Sequence, residues 1–104
     1  MFTSGSLIRT YFTVNGDDFC VDTALIMQRN GRYDFETMFF RMVKGDVGFD
    51  DSFDELHASS FEEAEQNHHR MVDKYTIPFR VIPCADDYSG VDRVLKELDQ
   101  LNVG

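Results

Sequence analysis

Two adjacent histidines, His68 and His69, offer the most obvious chemistry in this sequence, because acidic residues surround them. Imidazole and carboxylate groups are common metal ligands, and the acids near the histidine pair are Glu62, Glu65 and Asp73. Adjacent side chains on a helix diverge by about 100°, so the two imidazoles cannot converge on one ion as an i, i+4 pair would. We therefore expect no metal site. A single small domain also leaves little room for an enclosed cofactor cavity, so we expect no bound cofactor.

Two carboxylates, Asp22 and Glu36, are the second candidate for chemistry, because strand alternation places both on the wetter face of the expected sheet. Combined with His68, they would serve a metal-dependent or acid/base enzyme. No nucleophile or oxyanion donor converges on them in the sequence, and Arg9 is the expected partner of Asp22. The pattern therefore favours a protein that is not an enzyme.

An acidic segment, residues 46–65, is the most unusual feature of the charge pattern. It contains eight carboxylates and no Lys or Arg, in a chain of 104 residues whose 19 acidic and 10 basic residues give a net charge of -9. This excess repels phosphate backbones, so nucleic acid is not an expected direct ligand, whereas a basic protein surface is. The expected partner-binding residues are Asp46, Phe49, Asp50, Asp51, Phe53, Asp54, Glu55 and Glu62. The alternative is a solvated loop that leads into a well-capped helix.

The elements that must position these residues begin with a hairpin. A run of β-branched and aromatic residues, 7–14, leads into Asn15-Gly16, which favours a two-residue turn. The expected cross-strand pairs are Phe12 with Phe19, Tyr11 with Cys20, Thr10 with Val21, Arg9 with Asp22 and Ile8 with Thr23. One face of this hairpin is therefore largely apolar.

A second hairpin follows, and we expect residues 28–32 to form its loop, because a tighter turn would set acidic residues opposite apolar ones. The expected pairs are Met27 with Tyr33, Leu25 with Phe35, Thr23 with Thr37 and Val21 with Phe39. The third strand is expected over residues 33–43. A short fourth strand around residues 53–57 completes an antiparallel meander.

A helix over residues 61–75 is indicated by a Ser-x-x-Glu capping box at Ser60 and by an apolar stripe at helical spacing. This stripe is expected to cover the apolar face of the sheet. His68 lies in the middle of the stripe, so we expect a buried structural residue. A hydroxyl of the Thr23 and Thr37 pair is its expected hydrogen-bond partner.

A second helix, residues 89–102, is expected to begin at a Ser89 cap, and its aliphatic stripe either packs on the parent sheet or forms a homodimer seam. Between the helices, Pro78 and Pro83 bracket a short edge strand or an extended connector. The expected fold is α+β in a single domain, 1–104. An antiparallel meander of roughly three to five strands is covered on one face by the first helix, with the second helix beside it.

The compartment is indicated by the cysteines and by the absence of long apolar runs. Cys20 and Cys84 lie far apart and form no Cys-x-x-Cys motif, so we expect reduced thiols. No apolar run reaches the length of a membrane span, and the first residues lack the pattern of a signal peptide. We therefore expect no membrane partner and a cytoplasmic location.

Several short motifs follow one another along residues 10–75. They are Asp22-Thr23, Tyr33, Glu36-Thr37-Met38-Phe39, Glu63-Ala64, His68 and Met71-Val72. In this order they resemble a loose group of small proteins that are carried by phages, prophages and Gram-positive bacteria. The resemblance implies phage association, a location in the cytoplasm of a bacterial host cell, and a β-meander with one helix. Residues 76–104 depart from the pattern of the group.

Size, acidity and this resemblance favour a small phage or prophage interaction protein. Such a protein would bind a basic, nucleic-acid-handling host protein and inhibit it, as anti-CRISPR proteins inhibit defence nucleases. The alternative is a structural or accessory phage protein. An enzyme that uses His68, Asp22 and Glu36 is the least favoured hypothesis.

Overall fold

The computed structural model describes residues 4–43 and 46–102, and for residues 4, 46–51, 95 and 97–102 it describes the backbone alone. Within these ranges the elements are β1 (Ser4–Val14), β2 (Asp17–Met27), β3 (Tyr33–Val43), β4 (Asp46–Ala58), α1 (Phe61–Thr76) and α2 (Ser89–Asn102). The strands form one antiparallel sheet in the order β1-β2-β3-β4. The predicted α+β meander is therefore confirmed. Neither described helix is long and apolar enough to cross a membrane.

The first hairpin turns at Asn15 and Gly16, whose φ angles of 52° and 84° lie in the left-handed region. Asn and Gly tolerate this region better than other residues, which is why the turn forms here. The pairing of β1 with β2 sets Arg9 opposite Asp22. Each predicted pair of this hairpin is confirmed.

The second hairpin has its loop at residues 28–32, as predicted. The loop is closed by a hydrogen bond of 2.8 Å from the Gln28 N–H to the Arg32 carbonyl. The pairing of β2 with β3 sets Thr23 opposite Thr37, and the other predicted pairs are confirmed with it. The polar Thr pair therefore lies within a largely apolar face.

The fourth strand is longer and less regular than the sequence predicts. The sequence predicts a short strand around residues 53–57, whereas β4 extends over Asp46–Ala58. Two register shifts interrupt its pairing with β3. Because each shift reverses the alternation of inward and outward side chains, the sequence pattern does not mark the whole strand.

Phe53 is the extra residue of a β-bulge in this strand. Its neighbours pair with consecutive residues of β3, Asp54 with Phe39 and Ser52 with Phe40. A bulge re-aims the adjacent side chains, and here the ring of Phe53 lies 5.9 Å from that of Phe39. An aromatic side chain of the edge strand is thereby placed on the helix side of the sheet.

Helix α1 begins with the predicted cap, because the Ser60 hydroxyl accepts a hydrogen bond of 3.2 Å from the Glu63 N–H. It ends at Thr76, one residue beyond the predicted end. Its apolar side covers one face of the sheet, where the buried cluster consists of Phe12, Val21, Phe39, Met71 and Val72. Burial of a large apolar side chain contributes about 1.5–3 kcal/mol, so this contact stabilises the fold.

Helix α2 packs closely against the beginning of β1. A second buried cluster forms there from Leu7, Ile8, Leu25 and Val94. A Cβ placed on Gly90 would lie 1.8 Å from the carbonyl oxygen of Ser6, so only glycine permits this approach. Val94 therefore belongs to the core. The leucines of the same stripe are described by their backbone alone, and a homodimer through this helix stays a prediction.

The cap of α2 differs from the prediction. The helix begins at Ser89 itself, and the side chain that accepts a hydrogen bond of 2.9 Å from the Ser89 N–H is that of Asp87. This hydrogen bond lowers the pKa of Asp87, because it favours the ionised carboxylate. Asp87, and not Ser89, is therefore the capping residue.

The segment between the helices is a connector, not a strand, and it runs along the outer edge of β1. The Cys84 N–H donates to the Tyr11 carbonyl at 2.8 Å, and the backbones of Arg9 and Asp87 exchange two hydrogen bonds. Both cysteines are free thiols. The outer edge of β1 is thus covered, whereas β4 pairs only with β3 in the part of the chain that the structure describes.

Candidate functional site

His68 lies in the interior, between helix α1 and the sheet. Its imidazole is fully buried, and its Nδ1 lies 2.8 Å from the Thr23 hydroxyl, which lies 2.7 Å from that of Thr37. The sequence predicts this position and these neighbours. It misses Thr10, whose hydroxyl lies 2.8 Å from Nε2 of His68, although strand alternation places Thr10 on the same face.

The direction of each hydrogen bond around His68 follows from Asp86, the carboxylate at the outer end of this chain of hydrogen bonds. The Thr10 hydroxyl donates to Oδ1 of Asp86 at 2.5 Å, because an ionised carboxylate only accepts. Thr10 must then accept from the Nε2–H of His68, which leaves Nδ1 to accept from Thr23. Thr23 in turn accepts from Thr37. Among the described residues, no buried side-chain N or O atom lacks a hydrogen-bond partner.

The imidazole of His68 is neutral in this environment. Burial lowers its pKa to about 4, because removal from water disfavours the imidazolium ion. Both ring nitrogens are already hydrogen-bonded in the interior, so neither is available to a substrate or a metal ion. The arrangement links α1 to three strands and to the connector.

Asp86 joins this buried group to a second group of polar side chains at the surface. Its Oδ2 lies 3.2 Å from Nε2 of His69, which also lies 3.2 Å from the Tyr88 hydroxyl. That hydroxyl donates to Glu65 at 2.8 Å. Burial, and then this hydrogen bond, raise the pKa of Tyr88 to about 12. The connector is thereby fastened to α1 through Asp86 and Tyr88.

The three residues of the enzyme hypothesis do not meet. His68 contacts Thr23 on the α1 side of the sheet, so Asp22 and Glu36 point to the opposite face. Asp22 is buried there, and burial raises its pKa. The Ser6 hydroxyl donates to it at 2.5 Å, and the predicted partner, Arg9, has its Nε 3.7 Å away. His68, Asp22 and Glu36 therefore cannot form one site.

A polar group that the sequence pattern does not indicate surrounds His57 of β4, the cross-strand partner of Glu36 on β3. Nδ1 of His57 lies 2.9 Å from Asp34 and 3.8 Å from Glu36, and Nε2 lies 2.9 Å from Glu55. The hydrogen bond with Asp34 raises the pKa of His57, and burial raises that of Glu36. Among the described residues, Asp34, Glu36 and His57 are the group able to hold a metal ion.

The structure separates the acidic residues that the sequence assigns to one binding surface. Asp54 and Glu55 are consecutive on β4, so they point to opposite faces of the sheet. Asp54 accepts hydrogen bonds of 2.7 Å from Lys74 and from the Tyr75 hydroxyl, and these bonds lower its pKa. Glu62 is exposed in the first turn of α1. Asp54, Glu55 and Glu62 thus form no continuous surface. The other predicted residues are described by their backbone alone, so their side chains lie outside the described structure: Asp46, Phe49, Asp50 and Asp51.

An apolar groove lies where the first hairpin meets the end of α1. It is lined by Val14, Phe19, Phe39, Phe53, Tyr75 and Phe79, and its volume is about 390 Å³. Phe39 stacks on Tyr75 with ring centroids 3.9 Å apart, which gives the groove a rigid aromatic base. Phe53 and Phe79 stay 61% and 54% exposed. Of these lining residues, only Phe53 is among the predicted partner-binding residues.

Two local irregularities create this groove. One is the bulge that turns Phe53 toward Phe39. The other follows α1, where Arg80 adopts a φ of 56° and the Val81 N–H donates to the Thr76 carbonyl at 3.1 Å. The chain therefore turns back at the end of the helix and leaves Phe79 beside the groove. Neither irregularity has a pattern of residue types that marks it in the sequence.

Two ion pairs lie next to the groove. Arg41 lies 2.9 Å from Asp17, and Lys74 lies 2.7 Å from Asp54. Exposed pairs of this kind contribute only about 0–1 kcal/mol, so charged groups of a partner can replace them at little cost. The groove and the group around His57 lie on opposite faces of the sheet.

The sequence matches no family model, no curated protein and no solved structure.

Proposed function

We propose that this protein binds a partner protein, and that the apolar groove together with strand β4 forms the docking surface. The partner presents a basic segment with an aromatic or aliphatic side chain that enters the groove. The observation that carries the proposal is the exposure of Phe53 and Phe79 above the packed rings of Phe39 and Tyr75.

The composition of the groove supports an apolar anchor. All of its lining side chains are aliphatic or aromatic, and contiguous exposed apolar surface on a soluble protein commonly marks an interaction site. Binding energy in protein interfaces concentrates in pockets that exclude water around a few large side chains. A partner side chain that fills the groove would cover Phe53 and Phe79.

The charge of β4 favours a basic partner over an acidic one. The strand Asp46–Ala58 contains five carboxylates and no Lys or Arg, in a chain with a net charge of -9. Such a field attracts a basic segment and repels an acidic one, and its main effect is on the association rate. This support does not require that the carboxylates share one face of the sheet.

The position of β4 adds a second kind of contact. In the described chain β4 is the edge that has no further strand or connector beside it, whereas Cys84 and Asp87 cover the edge of β1. An open edge offers backbone N–H and C=O groups to an extended segment. A basic segment can therefore pair with β4 while its apolar side chain occupies the groove.

The narrower proposal concerns the identity of the partner. We propose a nucleic-acid-handling host protein, bound in the bacterial cytoplasm by a phage or prophage protein that inhibits it in the manner of an anti-CRISPR protein. The support is the small size, the acidity and the resemblance to phage-associated proteins. Inhibition of a purified defence nuclease by the protein tests this narrower proposal, and a structural or accessory phage protein would not inhibit.

Selection of peptides from a displayed random library on the immobilised full chain tests the docking surface. We expect the selected peptides to be rich in Lys and Arg and to share one aromatic or aliphatic position. Phe53→Ser and Phe79→Ser should abolish this enrichment. Ile82→Ser is the matched control, because Ile82 is even more exposed, at 91%, and lies outside the groove. Selection of acidic peptides, or unchanged enrichment in the two groove variants, would contradict the proposal.

A further inference from the structure

We propose that Asp34, Glu36 and His57 form a binding site for one divalent transition-metal cation, for which Zn²⁺ is the probe. The site lies on the face of the sheet opposite α1. The docking groove lies on the other face, although His57 belongs to β4, whose backbone edge is part of the proposed docking surface. Zinc binding is measured without a partner, so its outcome does not depend on that of the docking proposal.

The backbone brings the three donors together. Asp34 and Glu36 are two residues apart on β3 and therefore point to the same face, and His57 of β4 is the direct cross-strand partner of Glu36. Side chains of directly opposite residues lie close enough to contact each other. The strand pairing therefore supplies the donor set even before the side-chain conformations are considered.

The distances between the donor atoms fit a single ion. Nδ1 of His57 lies 2.9 Å from Oδ2 of Asp34 and 3.8 Å from Oε1 of Glu36, and all three donor atoms lie within 4.8 Å of one another. Ligands of a tetrahedral Zn²⁺ ion are separated by about 3.4 Å, because each lies about 2.1 Å from the metal. Small side-chain rotations are enough to close the site.

The donor set is a mixed one, with one imidazole and two carboxylates, and such sets are typical of zinc and related transition metals. Three protein donors leave a fourth position for water. Asp34 and Glu36 are half-buried, so part of the cost of taking their charges out of water has already been met by the fold.

The outer ring nitrogen of His57, which is not a ligand in this site, has a carboxylate partner of its own. Its Nε2 lies 2.9 Å from Glu55, and a carboxylate that accepts from the outer nitrogen of a ligating histidine is a common second partner in metal sites. In the metal-free protein Nδ1–H donates to Asp34, so a metal ion at Nδ1 displaces this proton, and Glu55 accepts the proton that stays on Nε2.

The local charge favours a cation of more than one positive charge. Three carboxylates, those of Asp34, Glu36 and Glu55, surround one imidazole. Within the described chain, no Lys or Arg forms an ion pair with any of them. Even a fully protonated His57 would leave this group with net negative charge, which a divalent ion offsets.

The surface group around His69 provides a matched comparison. His69 also contacts a carboxylate, since its Nε2 lies 3.2 Å from Asp86. The nearby Glu65 accepts from Tyr88, and the described residues around His69 include no set of three converging donors. Removal of His69 should therefore leave metal binding unchanged.

Titration calorimetry of the full chain with zinc chloride tests the proposal. We expect one Zn²⁺ per chain in the parent and in His69→Ala, and a loss of affinity of about tenfold or more in His57→Ala. Glu36→Gln keeps the shape of the side chain and removes one charged ligand, so it should bind Zn²⁺ more weakly than the parent does. This variant tests the site even if His57→Ala does not fold. Glu55→Gln should weaken binding less than Glu36→Gln does, because Glu55 acts through His57.

Thermal unfolding with and without Zn²⁺ gives a second measurement, because a ligand that binds only the folded state raises Tm. We expect Tm of the parent and of His69→Ala to rise with zinc concentration, and Tm of Glu36→Gln to rise much less. The proposal is overturned if the parent does not bind Zn²⁺. It is also overturned if His57→Ala and Glu36→Gln bind it as tightly as the parent does.

Discussion

The hydroxyl of Thr10 lies 2.8 Å from Nε2 of His68, and this contact ties helix α1 to the first strand inside the protein. The same hydroxyl donates to Asp86 of the connector, while the other side of the imidazole contacts Thr23. One buried imidazole thus connects elements that are distant in the sequence. A buried polar group of this kind stabilises the fold only while all of its hydrogen bonds are made.

Replacement of His68 by Ala should therefore be strongly destabilising. The change leaves a cavity and deprives the hydroxyls of Thr10 and Thr23 of their partner, and we expect a loss of about 2–4 kcal/mol in the free energy of unfolding. Urea denaturation measures this loss. The control is His69→Ala, which removes an exposed imidazole and should cost about 0.5 kcal/mol or less. Equal stability of the two variants would contradict the role assigned to His68.

The stability of the parent should depend on pH through His68. Its pKa is about 4 in the folded chain and returns to the ordinary 6.5 on unfolding, so between these values the unfolded state binds more protons. The contribution of the neutral imidazole is full above pH 6.5 and is lost as the pH falls through 4. A shift of this size corresponds to about 3 kcal/mol.

Comparison of the parent with His68→Gln at a series of pH values isolates this contribution, because the carboxylates titrate in both proteins. We expect the difference in unfolding free energy between the two proteins to shrink steadily from pH 7 to pH 4. A difference that stays constant over this range would show that His68 is not buried in its neutral form.

Gly90→Ala should loosen helix α2 from β1. The added Cβ would lie 1.8 Å from the Ser6 carbonyl oxygen, and backbone atoms on both sides cannot move apart without displacing the helix. We expect a destabilisation of about 2 kcal/mol or more and faster amide exchange over residues 91–94. Gly5→Ala is the milder comparison, because its Cβ meets the side chain of Val94, at 2.6 Å. Amide exchange over residues 91–94 that is as slow in Gly90→Ala as in the parent would contradict the close packing of α2 on β1.

The acidic residues of β4 should act on the rate of binding more than on its strength. Combined replacement of Asp46, Asp50 and Asp51 by Asn reduces the negative charge by three. We expect slower association with a basic peptide at low salt and little change at high salt, because screening removes the attraction. Stopped-flow fluorescence with a labelled peptide measures the association rate at each ionic strength. Identical association rates of the parent and the variant at low salt would exclude electrostatic steering by these residues.

The register of the first three strands is predictable from the sequence because each hairpin has a local cause. Asn15-Gly16 fixes the first turn, and the exclusion of acidic residues from an apolar face fixes the second. The position of His68 follows from helical spacing, and its contact with Thr23 follows from strand alternation. The helical repeat of about 3.6 residues and the strand repeat of two are regular, so the residues that share a face can be read from the sequence.

The groove and the group around His57 depend on places where the regular alternation of strand residues is interrupted. The bulge at Phe53 and the second register shift of β4 both change its pairing with β3, so neither the groove nor the pairing of His57 with Glu36 follows from alternation. The link from Thr10 to Asp86 depends on how the connector crosses β1, which is a tertiary relationship. The charge pattern of the sequence therefore predicts one acidic surface on β4, whereas Asp54 and Glu55 point to opposite faces of the sheet.

The affinity of one selected basic peptide for the parent and for two variants tests the proposed docking surface most directly. Fluorescence anisotropy gives Kd, and circular dichroism confirms that each variant is folded. We predict that Phe53→Ser weakens binding by about tenfold or more, equivalent to about 1.4 kcal/mol, because it removes a wall of the groove. Ile82→Ser should leave Kd unchanged. Equal affinities for the parent and Phe53→Ser, or an equal loss in both variants, would contradict docking through the groove.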